Sequence, residues 1–241
     1  MCILFDNQYW EDLKMKKIIL ALVFTITTSF VFSGEIAQYI NLGFSSNSKY
    51  FMFGQYGIGS ENTKAFAESY IVDVAKNSFI MDGINKQVFE EEILPGQDGL
   101  GGLLSILEDS VDIIGKAGIN HLTTGRVVYL LINGAEPKEK LEFRDFYKGD
   151  SYTVIMVQEK FGTNDNVSSS FHINLSVTDN KDRIKAYTIG LPDFKRKDVT
   201  AYRIKQVLFT PSEKGIVFII EKEMNSSKGK TIRYMVETLV F

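Results

Sequence analysis

The sequence predicts a mainly β protein with one central amphipathic helix. Its sheets are expected to be antiparallel, propeller-blade-like or sandwich-like, with the N- and C-terminal segments adjacent. Three observations carry this prediction. Eighteen Phe and eleven Tyr against only four Pro describe a packed, strand-rich chain. Two-residue alternation of apolar side chains recurs from Lys49 onward. One segment, residues 98–118, switches to helical spacing.

The chain opens on "MCILFDNQYWEDLK", which reads as a non-native or over-extended N-terminus (1–14). A signal peptide is expected over 15–33. Lys16 and Lys17 form its basic start, Ile18–Phe32 its apolar run, and Val31-Phe32-Ser33 a small-residue cleavage site. That run falls short of the roughly 20 residues a membrane-spanning helix needs. Residues 34–241 then form a single β-rich domain, with no stable membrane insertion after cleavage. The one cysteine, Cys2, lies ahead of the leader, so the exported chain is thiol-free and held by core packing. A periplasmic or secreted bacterial protein is the expectation.

Strands are predicted over Lys49–Ile58 and Ala65–Ile80. Others follow at Arg126–Ile132, Lys140–Phe146, Tyr152–Glu159, Ser170–Thr178, Ile184–Gly190, Tyr202–Thr210, Gly215–Glu221 and Thr231–Phe241. Polar, Gly-rich clusters such as "YKGDS" and "TDNKD" separate them as turns. The helix is expected near 99–117, with Asp98 capping its start and Gly118 ending it in a left-handed turn. Leu104 and Leu107 are expected to face a sheet.

Two stretches repeat one another. "FSSNSKYFMF" (44–53) aligns with "FTPSEKGIVF" (209–218), and each is followed by a strand of similar cast, "ESYIVDV" and "IRYMVETL". Both read as a turn rich in Ser, Asn and Pro joining two buried strands, with a third strand added antiparallel. Phe53 and Phe218 would be equivalent and buried. The phrase resembles the blade signature of TolB-type β-propellers. Taken whole, the order of elements resembles an uncharacterised family of predicted secreted bacterial proteins. The resemblance implies export and fold, and no activity comes with it.

Chemistry has no clear address. The net charge of −3 argues against nucleic-acid binding, which needs clustered cations. His121 and His172 lack the neighbours of a zinc site, and no phrase presents a nucleophile, so no catalytic residue, metal ligand or cofactor is assigned. The loops holding "NDN" and "TDNKD" do not fit a calcium-binding spacing. Basic and aromatic side chains gather near the C-terminus, where Tyr202, Arg203, Arg233 and Tyr234 are the candidate binding residues. The expected function is a non-catalytic periplasmic binding or scaffolding protein of the cell envelope, contacting an envelope protein or peptidoglycan. A small-ligand or lipid carrier, or an envelope hydrolase with an unrecognised site, is the alternative.

Overall fold

The computed structural model describes residues 34–59, 64–94, 96–132, 135–163, 166–226 and 229–241. The expected leader and Cys2, residues 60–63, and Asn164 and Asp165 of "NDN" lie outside them.

Thirteen strands and two short helices occur among the described residues. In chain order they are β1 (Gln38–Ser45), β2 (Tyr50–Ile58), β3 (Lys64–Asp73), β4 (Ser78–Glu92), α1 (Leu100–Asp109), α2 (Val111–Ala117), β5 (Ile119–Asn120) and β6 (Arg126–Leu130). They continue as β7 (Lys140–Arg144), β8 (Ser151–Phe161), β9 (Ser168–Thr178), β10 (Ile184–Lys197), β11 (Val199–Phe209), β12 (Gly215–Ser226) and β13 (Gly229–Val240). Three sheets result, all with antiparallel neighbours: a first of order β4-β3-β2-β1-β5, a second of order β10-β9-β8-β7, and a third of order β13-β12-β11-β6.

The third sheet packs against both others, and β12 explains how. Its residues from Gly215 to Ile220 are all buried. Successive side chains point to opposite faces, so Ile216, Phe218 and Ile220 meet Val154, Phe171 and Ile173 of the second sheet. Val217 and Ile219, with Val236, meet Phe51, Phe53 and Tyr70 of the first. A strand covered on both faces reads as an unbroken apolar run rather than an alternation.

The two repeated phrases fold into turns that match bond for bond. Ser48 N donates to Ser45 O at 2.8 Å, as Glu213 N does to Thr210 O. The hydroxyl of Ser45 accepts from Tyr50 N at 2.9 Å, and that of Thr210 accepts from Gly215 N at 3.1 Å. Ser48 and Glu213 sit at φ 59° and 58°. Phe53 and Phe218 are both fully buried. The turns also touch, since Ser212 N donates to Ser48 Oγ at 2.9 Å.

The N- and C-terminal segments are adjacent, as expected, but the backbone pairing between them differs. Residues ahead of Gly43 provide it: Ala37 N donates to Ile232 O at 3.1 Å and Ile232 N to Glu35 O at 2.8 Å, a parallel bridge. The segments 43–74 and 207–241 meet through core packing and through side chain to backbone hydrogen bonds.

The helix is corrected in two respects. It is two helices separated at Ser110, whose hydroxyl donates to Ile106 O at 2.6 Å and accepts from Asn85 Nδ2 at 3.2 Å. Its buried face is Leu103 and Ile106, with half-buried Leu107 packed against the sheet as expected, while Leu104, also expected there, is 59% exposed. Small residues of the sheet decide the rotation. A β-carbon on Gly54 would lie 2.8 Å from Leu103 Cδ1, so only glycine lets α1 approach this closely. The expected left-handed end is present at Gly118, but the N-cap is Gly99, without a side-chain cap. Asp98, expected to cap, sits one residue ahead of it, and its Oδ1 accepts from Leu100 N at 3.0 Å.

The stretch 65–80, expected as one strand, turns at Val74–Asn77, with Asn77 at φ 50°. The acidic "FEEE" belongs to the end of β4.

A charged seam ties the second sheet to the third. Arg126 of β6 donates two hydrogen bonds to Asp145, at 3.0 and 3.1 Å, and two to Glu213, at 2.6 and 2.8 Å. Asp145 is buried, and hydrogen bonds from Arg126 and Tyr147 N hold its pKa below the ordinary carboxylate value against the opposing effect of burial.

Candidate functional site

A cleft of about 450 Å³ opens where the β3–β4 turn, β10 and β13 meet. Its walls are largely apolar: Val72 and Phe79 from the first sheet, Leu191 from the second, Met235 and Val236 from the third. Among its polar side chains, Asn77 of the β3–β4 turn, Arg196 of β10 and Glu237 of β13 converge.

Glu237 is 5% exposed. Burial pushes its carboxyl above the ordinary value, opposed by the Asn77 hydrogen bond and by Arg196. Asn77 is itself fixed, because its Oδ1 accepts from Thr238 N at 2.8 Å while its Nδ2 donates to Glu237. Arg196 Nη2 stands 4.0 Å from Glu237 Oε1, an ion-pair distance too long for a hydrogen bond. The guanidinium lies against the rings of Phe194 at 4.9 Å, Phe171 at 5.1 Å and Tyr202 at 5.8 Å. Its Nη1 is buried and has no hydrogen-bond partner among the described residues. Gly190 flanks this group: at φ 92° it holds a conformation that side chains disfavour.

Lys222 is a cation near Arg196 but outside the cleft lining. It continues the row of Ile216, Phe218 and Ile220 on the face turned to the second sheet, between Tyr202 and Arg233 on the neighbouring strands. Burial lowers its pKa, as do Arg196, Lys86 and Arg233, with Glu68 opposing.

The four residues singled out from sequence divide between the two faces of the third sheet. Tyr202 and Arg233 share the row of Lys222, whereas Arg203 and Tyr234 share the opposite row with Glu221. Tyr202 is 2% exposed and its hydroxyl donates to Ser169 O at 3.1 Å. Arg233 stacks 4.0 Å over Phe66 and pairs with Glu35 and Glu68. Arg203 pairs with Glu221 at 2.8 Å and with Glu223. Tyr234 packs on Tyr39, and burial pushes its hydroxyl up to about 12. Sequence reasoning passed over Asn77, Lys222 and Glu237, and counted Arg196 only among the basic side chains near the C-terminus. The usable signal was a charge inside an otherwise apolar strand, in "VFIIEKE" and "IRYMVETL".

His121, expected to be structural or solvated, lies with Nδ1 2.6 Å from Leu42 O. None of the helices among the described residues is long and apolar enough to cross a membrane. No curated protein and no solved structure matches the chain. A family model does match residues 52–239, a span that holds Asn77, Arg196, Lys222 and Glu237. The chain belongs to the family of that model, described as predicted secreted protein (DUF2259).

Proposed function

We propose that the protein is a non-catalytic binding protein of the bacterial periplasm, holding a small ligand in the cleft beside Glu237. The observation that carries this reading is the rigidity of the cleft's polar groups. Asn77 is fixed by Thr238, Glu237 by Asn77, and Arg196 by three aromatic rings. Groups immobilised before binding lose little entropy when a ligand arrives. The cleft volume of about 450 Å³ falls within the roughly 300–1,000 Å³ of small-molecule sites. Membership of a family predicted to be secreted supports export, and the matched turns support a blade-like reading of the two hairpins.

A second reading, scaffolding of an envelope protein or of peptidoglycan, draws on Leu100, Leu104 and Val111, which the helices leave exposed.

A thermal-shift screen of periplasmic metabolites separates the two readings. Some compounds should raise the melting temperature of the wild-type chain and leave Leu191→Trp, which fills the cleft from its exposed wall, unmoved. No stabilising compound, or equal shifts in the variant, would remove the cleft from consideration.

A further inference from the structure

We infer that the cleft takes a monoanion: a small apolar molecule ending in a carboxylate, seated with its charged end toward Arg196. This rests on the cleft being the ligand site and names the chemistry of what enters it.

Charge balance is the first argument. Arg196 keeps a buried Nη1 without a hydrogen-bond partner among the described residues. The carboxylate it faces is Glu237, which is already hydrogen-bonded by Asn77 and stands 4.0 Å from Arg196, too far for a hydrogen bond. Its surroundings do not correct the balance. Lys222, outside the cleft lining, adds positive charge near Arg196, and the acid that bears on Lys222 is Glu68, which is shared among Gln55, Tyr70, Lys86 and Arg233. Lys76 at the cleft mouth stands 4.0 Å from Asp73. A largely buried guanidinium in this state is stabilised by an anion that can reach it.

The walls and the acid set the rest of the ligand. Val72, Phe79, Leu191 and Met235 offer hydrocarbon and aromatic contact, so the body of the ligand is apolar. Glu237 limits its charge, since a doubly charged phosphate would be repelled by this acid. A single negative charge matches Arg196, whose Nη1 lacks a partner among the described residues.

Calorimetric titration of the full chain with sodium benzoate, and with benzyl alcohol as its uncharged counterpart, tests the inference. Benzoate should bind at least about tenfold more tightly than benzyl alcohol, the scale of a charge-assisted hydrogen bond. Arg196→Gln and Arg196→Met should each weaken benzoate by about tenfold and leave benzyl alcohol unchanged. Two variants are used so that a folding defect in one, seen by circular dichroism, does not decide the matter. Equal binding of the two compounds, with both lost in Leu191→Trp, would overturn the anion inference and leave the cleft standing. Absence of heat with benzoate, benzoate binding that survives both cation variants, or tighter binding of inorganic phosphate would each overturn it as well.

Discussion

The side-chain amide of Gln55 stands beside Tyr234 as the peptide group of a neighbouring strand would: its Oε1 accepts from Tyr234 N at 2.7 Å, and its Nε2 reaches Tyr234 O at 3.4 Å. Asn77 accepts from Thr238 N in the same way, and residues 35–37 cover Ile232 with real backbone. β13 is the edge of its sheet, and an open edge is a template for aggregation. Two amide side chains and a short parallel bridge cover it at alternate residues.

Replacing Gln55 with Leu should therefore leave Tyr234 with an unpaired N–H and C=O. The expected loss is about 1–3 kcal/mol, the cost of an unsatisfied buried group. Amide exchange at Tyr234 should rise in Gln55→Leu while exchange at Ile232 stays slow. Unchanged exchange at Tyr234 would mean that the amide is not its protecting group.

The helix rotation separates two adjacent leucines. Leu103→Ala should cost about 2–4 kcal/mol by leaving a cavity over Gly54, whereas Leu104→Ala should stay within about 0.5 kcal/mol. Chemical denaturation of both variants checks this, and comparable losses would place Leu104 against the sheet after all.

Arg126→Met would leave Asp145 as a buried carboxylate without its bidentate partner. A loss of about 3 kcal/mol is expected, the lower end for a broken buried pair because Arg126 is itself partly solvated. Arg126→Lys should recover little, since an ammonium cannot serve both acids with paired hydrogen bonds. Full stability in Arg126→Lys would show that charge alone holds the seam.

Glu237 gives stability a pH dependence of defined sign. Its folded pKa lies above the ordinary 4.5, so between these values the native state keeps a proton that the unfolded chain has released. Stability from this group is therefore present below 4.5 and lost as pH rises through the folded pKa. Glu237→Gln should remove that decline and be the more stable protein at neutral pH. Parallel pH profiles for wild type and Glu237→Gln would contradict it.

The turns and the central strands were legible in the sequence because their determinants are local. The side chains of Ser45, Asn47, Thr210 and Ser212 make their hydrogen bonds within five residues, so the repeated phrase announces its own geometry. The start of β1 was not legible, since the register shift between Asn41 and Gly43 breaks the alternation a strand would display. Helix rotation depended on Gly54 and Ala67, which are remote in sequence from Leu103. The cleft was the least legible feature. Asn77 comes from the β3–β4 turn, Arg196 from β10 and Glu237 from β13, so only the folded chain brings them together.

The packing of Phe53 against Val236 has a kinetic consequence. This core joins β2 to β13, so it cannot close until almost the whole described chain is present. Contacts of such long sequence separation must overcome loop-closure entropy before they return any stability, and folding is correspondingly slow. A nascent chain lacking β13 would expose Phe51, Phe53 and Tyr70 and remain open. For a member of a family predicted to be secreted, that delay suits passage through a narrow export channel, where a chain that folded early would jam. The contact that completes the native state also postpones it.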